Sequence, residues 1–182
     1  MTFDSQPHLR GALLELRPLR PDDFAALFAV ASDPLIWVQH PSSNRYLETV
    51  FKEFFREALA SQGALLTIDA RSGNAIGSSR YHGYDPQLRE VEIGWTFLAR
   101  LHWGGGYNRE MKRLMLAHAF RVVDRVKFLI GVNNLRSRRA IEKIGGVEVG
   151  SKSDTGTGPH VVYEIDSATF ARVFAASASR PS

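Results

Sequence analysis

Three consecutive glycines, Gly104-Gly105-Gly106, stand between a hydrophobic strand pattern and an amphipathic helix pattern in the stretch Leu98-Ala99-Arg100-Leu101-His102-Trp103-Gly104-Gly105-Gly106-Tyr107-Asn108-Arg109-Glu110-Met111. Glycine lets the main chain bend sharply and bring its N–H groups close to a ligand. The helix that follows adds unpaired N–H donors and a partial positive charge at its start. Such a junction suits a phosphate or pyrophosphate. Arg109, Lys112 and Arg113 follow directly and weigh against a turn that merely joins strand to helix. The loop is not a Walker loop, because no Gly-Lys-Ser/Thr ends it. Gly104 and Gly106 fit the first pair of the dinucleotide fingerprint, but Arg109 stands where its third glycine belongs.

Other chemistries are excluded by residue type. The chain has no cysteine. Disulfides, thiolate zinc sites, iron–sulfur clusters and a cysteine nucleophile are therefore ruled out, which fits a cytoplasmic protein. The six histidines show no metal-ligand spacing, and no metal is expected. His118 falls on an apolar helical stripe and reads as a satisfied core residue. The net charge is 23 minus 19, or +4. Basic residues Arg136, Arg138, Arg139 and Lys143 cluster on one predicted helix, but without interleaved aromatics and with Glu142 among them, which argues against nucleic-acid binding. The first ten residues carry no signal-peptide pattern, and the longest apolar runs, such as Ala64 to Ile68, are too short to span a membrane. No membrane partner is expected.

The elements that position the glycine loop are legible from period. The 182 residues, 44% hydrophobic and 23% charged, predict one globular domain over 1–182, with 1–10 and 175–182 loosely ordered. Leu14, Leu16 and Leu19 mark a strand. Pro21-Asp22-Asp23 opens a helix bearing Phe24, Leu27, Phe28 and Ala31, and Phe51, Phe54, Phe55, Ala58 and Leu59 form the stripe of a second. Leu65 to Ala70 and Ala75 to Tyr84 read as strands joined by a turn. Val91, Ile93, Trp95 and Phe97 alternate with Glu90, Glu92, Gly94 and Thr96 along a fourth strand, which ends near Leu98. A helix carries Met111, Leu114, Met115, His118 and Val122. Val126 to Val132 is a buried strand, Ala140, Ile141 and Ile144 lie on a helix, and Val147 to Gly150 with His160 to Ile165 form a last strand pair. A short helix starts at Ser167. The fold class is therefore α/β (α+β): a mixed, mostly antiparallel seven-stranded sheet with helices on both faces.

The glycine loop, registered with Trp103, Gly106 and Asn108 at its signature positions, resembles motif A of the GCN5-related N-acetyltransferase (GNAT) superfamily. The resemblance runs from about Leu13 to Ile165. Trp103-Gly-Gly-Gly-Tyr107-Asn108 and the later Asn134-Leu-Arg-Ser137 are most similar to the RimJ/RimL-type branch that acetylates ribosomal-protein N-termini. Trp103 and Asn108 depart from the superfamily signature of Arg/Gln and Gly/Ala at those positions. Asn108 either crowds a pyrophosphate or caps the helix.

The resemblance implies acetyl-CoA as acyl donor. Its pyrophosphate would lie on the amides of Gly104, Gly105, Gly106, Tyr107, Asn108 and Arg109, beside Trp103. Its pantetheine arm would run through a splay between the fourth and fifth strands, held by Phe97, Leu98 and Ala99, with Asn134 at its end. Arg138 or Arg139 would meet the nucleotide phosphate. The acceptor would be a primary amine, either a protein N-terminus or a small molecule, acetylated directly in a ternary complex. Glu92 would be the base that deprotonates it through water, with Glu90 in reserve. Ser137 would be the acid at the sulfur, with Tyr163 as an alternative. The loop bearing Trp37, His40 and Tyr46 and the loop Ser151 to Pro159 would shape the acceptor pocket, and a homodimer is compatible with this reading. The rival expectation is an acyl-CoA-binding protein of the same fold without this catalysis.

Overall fold

An eight-stranded sheet runs through the computed structural model, which describes residues 2–153 and 156–178. The strands are β1 (Leu9–Arg10), β2 (Leu14–Pro18), β3 (Ala64–Asp69), β4 (Ala75–Asp85), β5 (Glu90–Leu98), β6 (Arg125–Gly131), β7 (Val147–Lys152) and β8 (His160–Asp166). Their order is β1-β2-β3-β4-β5-β6-β8-β7. All neighbours are antiparallel except β5 and β6. The helices are α1 (Phe24–Ala31), α2 (Glu48–Ala60), α3 (Tyr107–Ala119), α4 (Leu135–Glu142) and α5 (Ser167–Ala178).

The extra strand, against seven expected, is Leu9–Arg10 at the sheet edge. It pairs with β2 around a turn closed by the Gly11 N–H and the Leu14 carbonyl, and Glu110, in the first turn of α3, braces that turn by accepting from the main-chain N–H groups of Ala12, Leu13 and Leu14 at 2.7–3.1 Å. The segment before it is packed rather than loose. Phe3 is buried against Tyr81 and Tyr84, and His118 Nε2 donates to the Asp4 carbonyl at 2.7 Å. That bond satisfies His118, as its place on the stripe suggests. At the other end the main chain stays helical through Ala178, where loose order is expected from residue 175; residues 179–182 lie outside the described residues.

Two apolar clusters, one per face, hold the sheet between helices. Met111, Met115 and Leu116 of α3 pack with Val91, Ile93, Val126 and Phe128. On the opposite face Phe51, Phe54 and Phe55 of α2 pack with Leu27, Trp37, Leu66 and Phe97. Phe51 is fully buried and its ring meets those of Phe24, Phe28, Phe54, Phe55 and Phe97. Phe51→Ala is expected to cost about 3–5 kcal/mol. A urea titration checks this, and a midpoint equal to wild type would contradict it.

Two irregularities in β5 shape the site. First, β5 and β6 pair only at Glu90–Arg125, Val91–Val126 and Glu92–Lys127, and then part. This is the expected splay. Second, the alternation of β5 breaks. Between the pairs Arg80–Gly94 and Ser78–Phe97, β5 carries one residue more than β4, which is a β-bulge. Trp95 sits in it with φ of +51°, a left-handed conformation that bulky residues rarely adopt. Val91, Ile93, Trp95 and Phe97 therefore do not share one face. Val91 and Ile93 face α3, whereas Trp95 and Phe97 face α1 and α2.

Candidate active site

The loop from Trp103 into α3 is open. Gly104 and Gly106 have φ of +74° and +86°, and Gly106 is the residue that caps α3. A Cβ built on Gly104 meets nothing within 4 Å, and one on Gly106 meets only Leu13 Cδ1 at 3.6 Å. Among the described residues, nothing accepts a hydrogen bond from the N–H groups of residues 104–108. Glu110 would compete for these amides, but its carboxylate is held by residues 12–14. Free amides, positive-φ glycines and a helix start together fit a diphosphate.

The cations that follow the loop do not add to this cradle as their sequence position suggests. Arg109 lies over the Phe174 ring on α5 and donates to the Val173 carbonyl. Arg113 is 4.0 Å from Glu110. Lys112 is buried inside the molecule. The anion cradle is thus made by the main chain. Tyr107 turns away from it, donating to Asp69 Oδ1 at 2.8 Å. Bonds from Ser72 and Tyr107 hold the Asp69 carboxyl down at about 2.

Where β5 and β6 part, a cleft of about 220 Å³ opens between them. Phe97, Leu98 and Trp103 line it on one side, Asn108 at the α3 end, and Asn134 and Ser137 from α4 on the other. The cleft thus gathers residues from β5, the glycine loop, α3, β6 and α4. Ala99 lies just past β5 and spends its N–H on the Ile76 carbonyl at 2.8 Å; the Leu98 carbonyl accepts from Trp103 Nε1 at 2.9 Å. Those two groups are occupied, so the groups facing the gap lie on the part of β5 between Glu92 and Leu98. Asn108 does not cap α3, and its side chain makes no hydrogen bond among the described residues. Asn134 caps α4, accepting from the Ser137 N–H at 3.2 Å, while it also lines the cleft.

Arg138 and Tyr163, both named from sequence, stand away from the gap. Arg138 is engaged by the Tyr163 hydroxyl, the Val132 carbonyl and Glu148, so the exposed Arg139 is the freer cation of the pair. Tyr163 is buried, donates to Glu142 at 2.7 Å and accepts from Arg138. Burial pushes its hydroxyl further up. Neither borders the cleft.

Glu92 lies on the α1–α2 side of β5, two residues before Gly94, and its Oε1 sits 3.2 Å from where a Gly94 Cβ would be. Gly94 borders the cleft. Burial raises the Glu92 carboxyl to about 7, against the pull of Lys152. Among the described residues it makes no hydrogen bond or ion pair. Glu90, by contrast, is bound to Lys127 at 2.6 Å.

Sequence reading missed Lys112. Its Nζ reaches into the cleft wall, donating to Thr96 Oγ1 at 2.5 Å and Ser79 Oγ at 3.4 Å. Burial pulls it down to about 7. The signal was available, since Lys112 stands four residues before Leu116 on the buried stripe of α3. Lys112 borders the cleft directly, whereas Glu92 stands behind Gly94 and is not part of the lining; perturbed groups of this kind gather at sites of acid–base chemistry.

Of the loop residues named from sequence, Trp37 and His40 border the cleft, while Tyr46 is exposed and does not. Trp37 is a packed residue whose indole donates to the Ala31 carbonyl at 2.7 Å. Within the loop Ser151 to Pro159, Asp154 and Thr155 lie outside the described residues.

Known proteins share this fold. The chain is 30% identical over 125 residues to the Bacillus subtilis (strain 168) protein named "Putative ribosomal N-acetyltransferase YdaF", a match covering 66% of each. The fold is that of a GCN5-related N-acetyltransferase from Brucella melitensis, with TM-score 0.83, 20% identity and coverage of 96% of this chain and 85% of that one. Mycobacterium smegmatis RimJ, solved in complex with CoA-disulfide, has TM-score 0.70 at 21% identity, with coverage of 94% and 93%. Residues 14–147 match the family model of the acetyltransferase (GNAT) domain, and the chain belongs to that family.

Proposed function

We propose that the protein transfers an acetyl group from acetyl-CoA to a primary amine. The observation that carries the reading is the continuity of an unobstructed amide cradle at residues 104–108 with a cleft between parted strands. Acetyl-CoA would supply the acyl group as a thioester. The cradle would hold its diphosphate, and the β5 main chain between Glu92 and Leu98 would offer N–H groups where negative charge develops.

The acceptor nitrogen must first lose a proton, since an ammonium has no lone pair. Glu92 takes that proton through a water, which its separation from the cleft by Gly94 leaves room for. The nitrogen then forms the bond to the acyl carbon as the carbon–sulfur bond breaks, and the second proton leaving nitrogen passes by way of the hydroxyl of Ser137, a residue of the cleft wall, to the departing sulfur, so that Ser137 ends as it began. With no cysteine to carry the group, transfer is direct. The acceptor is a protein N-terminus or a small amine; the name of YdaF supports the former.

Release of free CoA from acetyl-CoA, followed across amines and N-terminal peptides, tests this. Acceptor-dependent thiol release is expected. CoA binding without such release would make the protein a binder of acyl-CoA instead. The pH profile carries a further expectation. Glu92 acts only when deprotonated, so kcat/KM should be low below its value of about 7 and rise through it to a plateau. A rate independent of pH between 5 and 8, roughly the window around that value, would remove Glu92 as the base.

A further inference from the structure

On the α1–α2 side of the cleft, two arginines are packed together without a carboxylate. Arg80 of β4 is 5% exposed, and its Nε and Nη2 are buried with no hydrogen-bond partner. Its guanidinium lies 4.7 Å from the Trp95 ring centroid and 5.7 Å from that of Phe54. Arg45 sits over the same Phe54 ring at 4.5 Å, and its Nη1 meets His40 Nε2 at 3.1 Å. The two cations repel one another, and Glu57, the acid that acts on both, forms an ion pair with neither among the described residues. Stacking on aromatic rings offsets only part of the cost of burying a guanidinium. A buried arginine keeps its fork for a planar anion, because its donors match a carboxylate two by two.

The pair also has the right address. Trp95, which stacks on Arg80, and His40, which bonds Arg45, both border the cleft. Arg80 stands opposite Gly94 in the β4–β5 register, and Gly94 follows the proposed base Glu92 by two residues on the same face. Neighbours in that diagonal relation lie about 7–8 Å apart at their Cα atoms. An amine presented to Glu92 would therefore carry its own anion, a few bonds away, toward Arg80.

We propose that Arg80 and Arg45 form a carboxylate clamp that selects acceptors bearing an acid close to the amine. The proposal rests on the acetyl-transfer reading and names the acceptor class for that same site. Both a free amino acid and a peptide with an acidic residue next to its N-terminus carry the required chemistry.

Two matched pairs separate the sources and test the clamp: serine against serinamide, and the amidated tripeptide Ser-Asp-Ala against Ser-Asn-Ala. Within at least one pair the acid should exceed its neutral partner at least tenfold in kcat/KM, mainly through KM. Arg80→Gln and Arg45→Gln should each bring that ratio close to one. Arg45 is half-buried and gives the safer variant should Arg80→Gln not fold. Equal kcat/KM for acid and neutral partner in both pairs would overturn the clamp and leave acetyl transfer standing. No turnover with any acceptor would strike the acetyl-transfer reading itself, and the clamp is then judged by binding. Glutarate, but not glutaramide, should change the tryptophan emission saturably, and both variants should lose that response. The absence of any glutarate response would overturn the clamp.

Discussion

Gly106→Val should abolish measurable CoA binding while leaving a folded protein. The position has φ of +86°, where a β-branched side chain is strained. That strain alone costs about 1–3 kcal/mol. The protein itself has room for the new atoms, since a Cβ there meets only Leu13 Cδ1 at an ordinary 3.6 Å. The loss therefore falls on the ligand. The valine branches stand where the diphosphate must approach, and relief of the strain swings the amides of residues 104–108 off target. A weakening of Kd by about 100-fold or more follows from these two effects together. Calorimetric titration with CoA measures it, alongside a thermal melt to show that α3 and the core persist. Gly104→Ala, with nothing within 4 Å of its Cβ, should weaken binding less. Normal CoA affinity in the valine variant would mean that the diphosphate lies elsewhere.

Glu92→Gln should lower kcat/KM by about 100- to 10,000-fold, the usual worth of a positioned base. The glutamine keeps the shape of the side chain, and no ion pair is broken, because Glu92 forms none among the described residues. CoA affinity should be unchanged, as Glu92 belongs neither to the glycine loop nor to the cleft lining. Below pH 7 the gap between variant and wild type should narrow, since the wild-type carboxyl there takes up a proton and loses its function. A steady-state comparison across pH reads both effects. Wild-type rates in the variant at high pH would acquit Glu92.

The glycine loop and the helix stripe after it were readable in the chain because their signals are local. Glycine needs no partner to permit a positive φ, and the 3.6-residue spacing of Met111, Met115 and Leu116 follows from their own helix. The parting of β5 from β6 was reached through family likeness, and its register now shows it. What stayed hidden depends on contacts distant in sequence. Trp95 sits in a bulge because β4 and β5 differ by one residue between two ladder pairs, so a strict alternation across Val91 to Phe97 misplaced half of that strand. Leu9–Arg10 pairs with β2 around a turn that Glu110, about a hundred positions on, holds in place. Arg138 and Tyr163 look free in sequence, yet they satisfy each other and Glu142. Lys112, read from sequence as a cation beside the glycine loop, and Arg80 are buried by neighbours from other elements, which their own stretches of chain do not reveal.

Amide-resolved NMR of isotope-labelled protein during titration with CoA tests the shared root of these expectations. The resonances of Gly104, Gly105, Gly106, Tyr107 and Asn108 should shift most, joined by those of residues 93–98 along the open edge of β5. Pantetheine, which lacks the diphosphate, should move the strand signals and leave the glycines in place. Saturating CoA that leaves Gly104 to Asn108 unmoved would contradict the account.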